Sequence, residues 1–371
     1  MDLIYSQAAI TLIATASDAE YGLPGVSSRL RHPQIDLNIG PLQFASFITL
    51  NDIVVKSAWA HRGWTFQEGC LSNRKLLFTD HGIVFICRGM QRWETIEQEV
   101  TEEDGNNRGA ISHLEQILPD VKTINPEPWI NIVLEEYTSR TLTFDEDALR
   151  ACMGILKGMG VTHHWGMQVI KAINPGLGPR PLVMDLYWRN YSPTKRRTGF
   201  PTWSWVSCRG RKDFGESAPF AADACEIEVQ DTGGRWIDAT TLARDHPGDL
   251  STVTSGQRLR VTGRMLKSRW ITEEDKTYIE VPGVTERLIV FLDTVDESIL
   301  LHSDAEELVI ETNSNDNTPI LMLLEPHGDY YRRIGLAQSL EPRRLDMFAM
   351  NKVRAHAAWI DQSEIRAILL E

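Results

Sequence analysis

A carboxylate on an otherwise apolar helical face needs either a partner or a chemical task, and Glu68 is such a residue. The run Ala58 to Leu71 reads as a helix with Gly63 as its weak point. On it Trp64, Glu68 and Leu71 fall at i, i+4 and i+7, with His61 about one turn before Trp64. If Glu68 serves structure, an arginine such as Arg62 or Arg74 is its expected partner, since a buried ion pair leaves the same trace in sequence as a reactive acid.

Other candidate groups carry weaker signals. Trp203 and Trp205 alternate around Ser204, so on a strand both face one side, as core or as an aromatic platform. Core packing is the expected role. His163-His164 has no Cys, Asp or Glu at metal-ligand spacing, and Ser192-Pro193-Thr194-Lys195 is a Ser-x-x-Lys that arises often by chance. Both are expected at the surface or in loops. Gly176-Leu177-Gly178-Pro179 lacks the further glycine and the strand-to-helix setting of a dinucleotide loop, so it reads as a turn. Cys70, Cys87, Cys152, Cys208 and Cys225 are odd in number and scattered, which fits neither a disulfide framework nor a zinc site and implies a reducing, cytoplasmic setting. No metal site is expected.

The elements that must position these residues follow from periodicity and punctuation. Asp2 to Ala9 reads as the end of a helix, and Ile10 to Ala14 as a short buried strand suited to the centre of an α/β sheet. The apolar start predicts that the chain begins within a domain. Lys75 to Thr79 and Ile83 to Cys87 are short apolar runs separated by Asp80-His81-Gly82, a hairpin turn. Glu97 to Asp104 reads as solvated helix or loop. Two helical patterns follow between Pro128 and Met159, the second carrying Ala148, Leu149, Cys152, Ile155 and Leu156 with Asp145 as its cap. From Gln257 onward the apolar runs Leu259 to Gly263, Leu288 to Asp293, Leu308 to Glu311 and Ile320 to Leu324 have strand length. Met347 to Leu370 has helical spacing.

Length and charge bound the rest. At 371 residues the chain exceeds the size at which single cores stop growing, so more than one domain is expected. Its 51 acidic against 38 basic side chains give a net charge of −13, which opposes attraction to nucleic acid or to anionic lipid. No apolar run approaches the roughly 20 residues that span a bilayer.

Ser57 to Cys87 resembles the last characteristic block of fungal heterokaryon-incompatibility (HET) domains, an Arg-Gly-Trp-Thr-x-Gln-Glu run followed by Leu-Ser-x-Arg and two strands. Here that block supplies Arg62, Gly63, Trp64, Gln67, Glu68 and Arg74. Tyr5 to Gly25 resembles the preceding block, through Tyr5, Ala8, Thr11, Ala14, Gly22, Leu23 and Gly25. Tyr137 to Thr143 with Asp147 to Leu149, and Gly199 to Trp205, resemble segments that follow such domains. The first HET block, with its Trp-x-Asp and Cys-Ile-x-Gln sequences, is expected upstream of Met1.

The resemblance implies an α/β, partial TIR-like or flavodoxin-like HET domain over 1–110, and the periodicity adds a mostly helical region over 111–225 and a β-rich module with a terminal helix over 226–371. It also implies a role in fungal nonself recognition and programmed cell death, with other proteins of an incompatibility system, or further copies of the chain, as partners. HET domains are similar to TIR domains, whose NAD-cleaving members carry a glutamate four residues after a tryptophan, the spacing of Trp64 and Glu68. On that likeness Glu68 is the candidate catalytic residue and NAD a candidate substrate, with no certain cofactor. A fixed carboxylate there orients ribose hydroxyls or stabilises oxocarbenium charge, with Trp64 as an apolar wall. A third reading is a truncated, inactive or regulatory relative.

Overall fold

A computed structural model describes residues 1–15, 19–26, 28–46, 48–87, 90–94, 126–171, 182–215, 225–274, 276–284, 286–295, 306–312, 318–339 and 359–371. The chain divides into two compact units, Met1–Asn125 with Glu136–Met159, and Pro126–Glu135 with Gly160–Glu371. These do not follow the expected divisions at 110 and 225, because the helix at 147–158 packs within the first unit.

In the first unit α1 (Asp2–Gln7) leads into β1 (Thr11–Ala14), and a hairpin of β2 (Asp36–Ile39) and β3 (Leu42–Ala45) follows. Next come α2 (Leu50–Val55), α3 (Ala58–His61) and α4 (Gly63–Leu71). Then β4 (Arg74–Thr79), β5 (Gly82–Cys87) and β6 (Met90–Trp93) complete a four-stranded sheet in the order β1-β4-β5-β6. Of its pairings only β1 with β4 is parallel. The turn expected at Asp80-His81-Gly82 joins β4 to β5. Among the described residues β1 lies at an edge of the sheet and not at its centre, and it buries Thr11 and Ile13 while Leu12 and Ala14 face out. Ile13, Leu50, Val54, Trp59, Leu77 and Val84 form the core beneath the sheet.

Two serine and threonine caps start the short helices. Thr49 Oγ1 accepts from Asp52 N at 3.2 Å and Ser57 Oγ accepts from Ala60 N at 3.1 Å. The expected single helix over Ala58 to Leu71 is broken at its glycine. Gly63 donates its amide to Thr141 O at 2.7 Å, and Arg62 before it is extended. A Cβ on Gly63 would lie 2.4 Å from Leu142 Cδ2, so only glycine lets the two segments approach this closely.

α5 (Pro126–Thr138) runs across the division between units, and α6 (Asp147–Gly158) belongs to the first. α6 buries Ala148, Leu149, Cys152, Ile155 and Leu156, the stripe its periodicity predicts. Asp145 is not its N-cap: that position is Glu146, with no side-chain capping bond.

The region expected to be mostly helical continues in the second unit as short strands. These are β7 (His163–His164), β8 (Met167–Lys171), β9 (Leu182–Met184), β10 (Arg189–Asn190) and β11 (Lys212–Asp213). β12 (Glu226–Asp231), β13 (Trp236–Asp238), α7 (Ala239–Asp245) and β14 (Thr254–Lys267) come next. The β-rich module is then completed by β15 (Arg269–Glu273), β16 (Lys276–Glu280), β17 (Leu288–Leu292), β18 (Glu306–Thr312), β19 (Pro319–His327), β20 (Tyr330–Gln338) and β21 (Glu364–Leu370).

β14, β18, β19, β20 and β21 pair in a closed ring, which removes the exposed edges of those strands. β21 occupies part of the stretch expected to be a terminal helix. Its alternation buries Ile368 and Leu370, and residues 340–358 lie outside the described residues. The turn expected at Gly176 to Pro179 and the acidic stretch Glu97 to Asp104 also lie outside them.

Among the described residues no helix is long and apolar enough to cross a membrane.

Candidate functional site

Glu68 lies in the second half of α4, half-buried, with both carboxylate oxygens held by neutral donors. Tyr5 Oη donates to Oε1 at 3.0 Å from α1, and Trp59 Nε1 donates to Oε2 at 3.0 Å from α3. The expected arginine partner is absent: among the described residues neither Arg62 nor Arg74 forms an ion pair with Glu68, and both are exposed. Burial, and then the Glu68 charge, push the Tyr5 phenol up to about 12, so it remains a donor throughout the neutral range. The carboxylate thereby ties together three short helices.

The other residues of the block face a different neighbour. Trp64, one turn before Glu68 on α4, donates from Nε1 to Asp147 Oδ2 at 3.0 Å. Buried Gln67 donates from Nε2 to Arg150 O at 3.2 Å, and a Cβ on Gly154 would lie 2.1 Å from Gln67 Oε1. Gly63, Trp64 and Gln67 therefore form a seam with residues 141–154, at whose end Arg140 sits buried with its guanidinium 4.4 Å from the Phe66 ring centroid. Desolvation lowers the pKa of Arg140, and Glu136, 3.1 Å from its Nη2, opposes that shift.

Thr11 joins the two parallel strands at their beginnings, its Oγ1 lying 2.7 Å from Ser72 Oγ. Asn73 Nδ2 donates to Ser6 O at 3.1 Å beside it. Tyr5 and Glu68 thus sit by the amino-terminal edge of the β1–β4 pair, whereas ligands of open α/β sheets gather outside the carboxyl edge.

Gly22, Leu23 and Gly25 belong to a segment on that carboxyl side. Val26 N donates to Leu23 O at 3.1 Å across a turn with Pro24 second and Gly25 third, where φ of 78° requires glycine. Ala14 ends β1 on its exposed face.

The carboxyl edge holds a cluster that sequence reasoning missed. Arg29 stacks 3.1 Å from the Tyr21 ring centroid and lies 3.8 Å from Asp80 Oδ1. Tyr21 Oη donates to Asp80 at 3.2 Å, and the His32 and His81 rings are 5.0 Å apart. Asp80-His81 was legible only as a turn, because nothing in its local sequence says what packs on it.

In the second unit Trp203 and Trp205 are core and not a platform. They lie in a turn and a 3-10 helix rather than on a strand. Their indoles donate to Gln257 O at 3.0 Å and to Gly166 O at 2.8 Å, and both rings are fully buried. His163 and His164 are buried as well, contrary to the expectation of a surface pair, and His164 stacks on Trp203 with ring centroids 5.6 Å apart. Ser192, Pro193 and Lys195 are exposed in a loop, as expected. All five cysteines are free, and among the described residues no group of three His, Cys, Asp or Glu side chains is placed to hold a metal ion.

With this geometry in place, the comparison with known families adds one finding: residues 1–68 match the model of the Heterokaryon incompatibility protein (HET) family. The matched stretch ends on Glu68 and contains Tyr5 and Trp59, the two donors that hold it. No curated protein and no solved structure matches the chain.

Proposed function

We propose that the chain is a cytoplasmic protein of fungal nonself recognition that triggers incompatibility death by association with other proteins. The observation that carries this reading is the HET match over residues 1–68. The bonding of Glu68 supports association over catalysis. Its oxygens are engaged by Tyr5 and Trp59, the Trp64 indole is bonded to Asp147, and the group lies by the amino edge of the parallel strands. Glu68 on this account is a positioning group for α1, α3 and α4.

A second reading, a TIR-like NAD glycohydrolase using Glu68, is favoured by one feature: the half-buried carboxyl group is fixed in place by Tyr5 and Trp59. The two separate in one culture. Inducible expression in a filamentous fungus, with viability and NAD followed together, is expected to give death without a preceding fall in NAD. Glu68→Gln, which keeps the side-chain shape, should retain the killing. Its melting temperature should drop, because one of the two donors loses its acceptor at a cost of about 1–3 kcal/mol. NAD loss that vanishes in folded Glu68→Gln would establish the enzyme instead, and survival on full expression of the wild-type chain would remove the incompatibility reading altogether.

A further inference from the structure

The β2–β3 hairpin presents an apolar face to solvent. Its register pairs Leu37 with Phe44 and Ile39 with Leu42, so these four side chains share one face, while Asp36, Asn38, Gln43 and Ala45 share the other. On the apolar face exposure is 56% for Leu37, 57% for Ile39, 59% for Leu42 and 49% for Phe44, and neighbouring Ile35 is 71% exposed. The hairpin is a two-stranded sheet on its own, so among the described residues both of its outer edges lack a strand partner. Isolated two-stranded hairpins are at best marginally stable in water, and a contiguous apolar patch of this kind marks an interaction surface. Here the turn at Gly40, with φ of 60°, and bonds from Ser46 N to Ile35 O at 2.8 Å and from Ile35 N to Ser46 Oγ at 3.0 Å hold the face in register.

We infer that this face is where a second copy of the chain docks, the two hairpins packing apolar face to apolar face about a two-fold axis. Charge confines contact between copies to this face. The chain carries a net charge of −13, so two copies repel each other over most of their surfaces, yet from Ile35 to Ala45 the only charged residue is Asp36, and it lies on the opposite face. Area is consistent with it too. Five large side chains exposing on the order of 100 Å² each bury about 1,000 Å² between two copies, the lower bound for a specific and reversible interface. The symmetry is isologous, because the same patch serves both partners. This deepens the association reading above by naming one surface and one partner.

The test is sedimentation equilibrium of the purified full chain from about 1 to 100 µM, a range suited to an interface of this size. The wild-type chain is expected to pass from monomer to dimer across that range. Leu37→Asp/Phe44→Asp, which places four carboxylates in the interface, should weaken the dimer at least a hundredfold with an unchanged circular dichroism spectrum. Amide hydrogen exchange of the wild-type chain gives a readout that needs no variant: residues 36–45 should become protected as concentration rises, and the strands of the second unit should not.

A wild-type chain monomeric throughout overturns the proposal, as does a dimer that leaves 36–45 unprotected or survives the double substitution. Binding of the monomeric wild-type chain, but not the double variant, to phosphatidylcholine vesicles would assign the face to lipid and likewise overturn it. Because dimerisation is read in vitro and killing in cells, a monomer that still kills would sink this inference alone, while a dimer that does not kill would sink only the incompatibility reading.

Discussion

Arg333→Met is expected to destabilise the second unit by about 3–5 kcal/mol, a large share of a domain's stability. The Arg333 guanidinium is fully buried, with Nε donating to Asp293 Oδ2 at 3.1 Å, Nη1 to Leu186 O at 3.1 Å and Nη2 to Trp188 O. It also lies 3.7 Å from the Trp188 ring centroid. Methionine fills much of the volume but leaves the buried Asp293 carboxylate with, among the described residues, one remaining cation within 4 Å, Arg196, at 3.8 Å and partly solvated. Urea unfolding of the wild type, Arg333→Met, Asp293→Leu and the double variant measures the coupling. The double variant should recover part of the loss, because it removes both charges from the interior. A single-variant loss below about 1 kcal/mol would show that the pair does not hold the unit together.

The second large effect is with pH. Burial holds His164 down at about 4 against an ordinary 6.5, with Asp249 opposing the shift, and it also lowers His163. A base depressed on folding binds fewer protons in the native state. Its contribution is therefore fully present above pH 6.5, is lost as pH falls toward 4, and changes no further below that. For His164 the gap corresponds to about 3 kcal/mol. Glu307 acts in the opposite sense: burial raises it to about 7, so its neutral form is favoured and its contribution grows as pH falls from 7 toward 4.5. The wild-type curve sums these with the contributions of His163 and the other shifted groups. The informative quantity is the difference between wild type and His164→Phe, which keeps a ring on Trp203 and does not titrate. That difference should shift by about 3 kcal/mol in favour of the variant between pH 7 and pH 4. Parallel curves would mean that His164 is not buried neutral.

Local signals in the sequence foretold local structure. The glycine in Ala58 to Leu71 marked the break between α3 and α4, and the Asp80-His81-Gly82 turn and the α6 stripe are where periodicity places them. What sequence could not show was pairing over distance. Glu68 was legible as an acid needing a partner, but its partners are Tyr5, in another helix, and Trp59, brought round by the extended Arg62. His163-His164 gave no sign of burial, because adjacent residues on a strand point to opposite faces and here both faces are covered. Ile365, Ile368 and Leu369 fit a helical period, yet a short apolar run has no unique period and the neighbours β14 and β20 decided for a strand.

The closed ring also has a kinetic meaning. β14 pairs along Leu259 to Met265 with β21, whose Leu370 meets both Leu259 and Tyr331. The strand that seals the ring follows all of its partners in sequence, so it leaves the ribosome after they have been waiting with open edges. Closing so long a loop costs entropy before any ladder repays it, so completion of this unit is a late and slow event. In that interval the apolar strands β18 and β19 depend on chaperones, or on speed, to escape pairing with other chains.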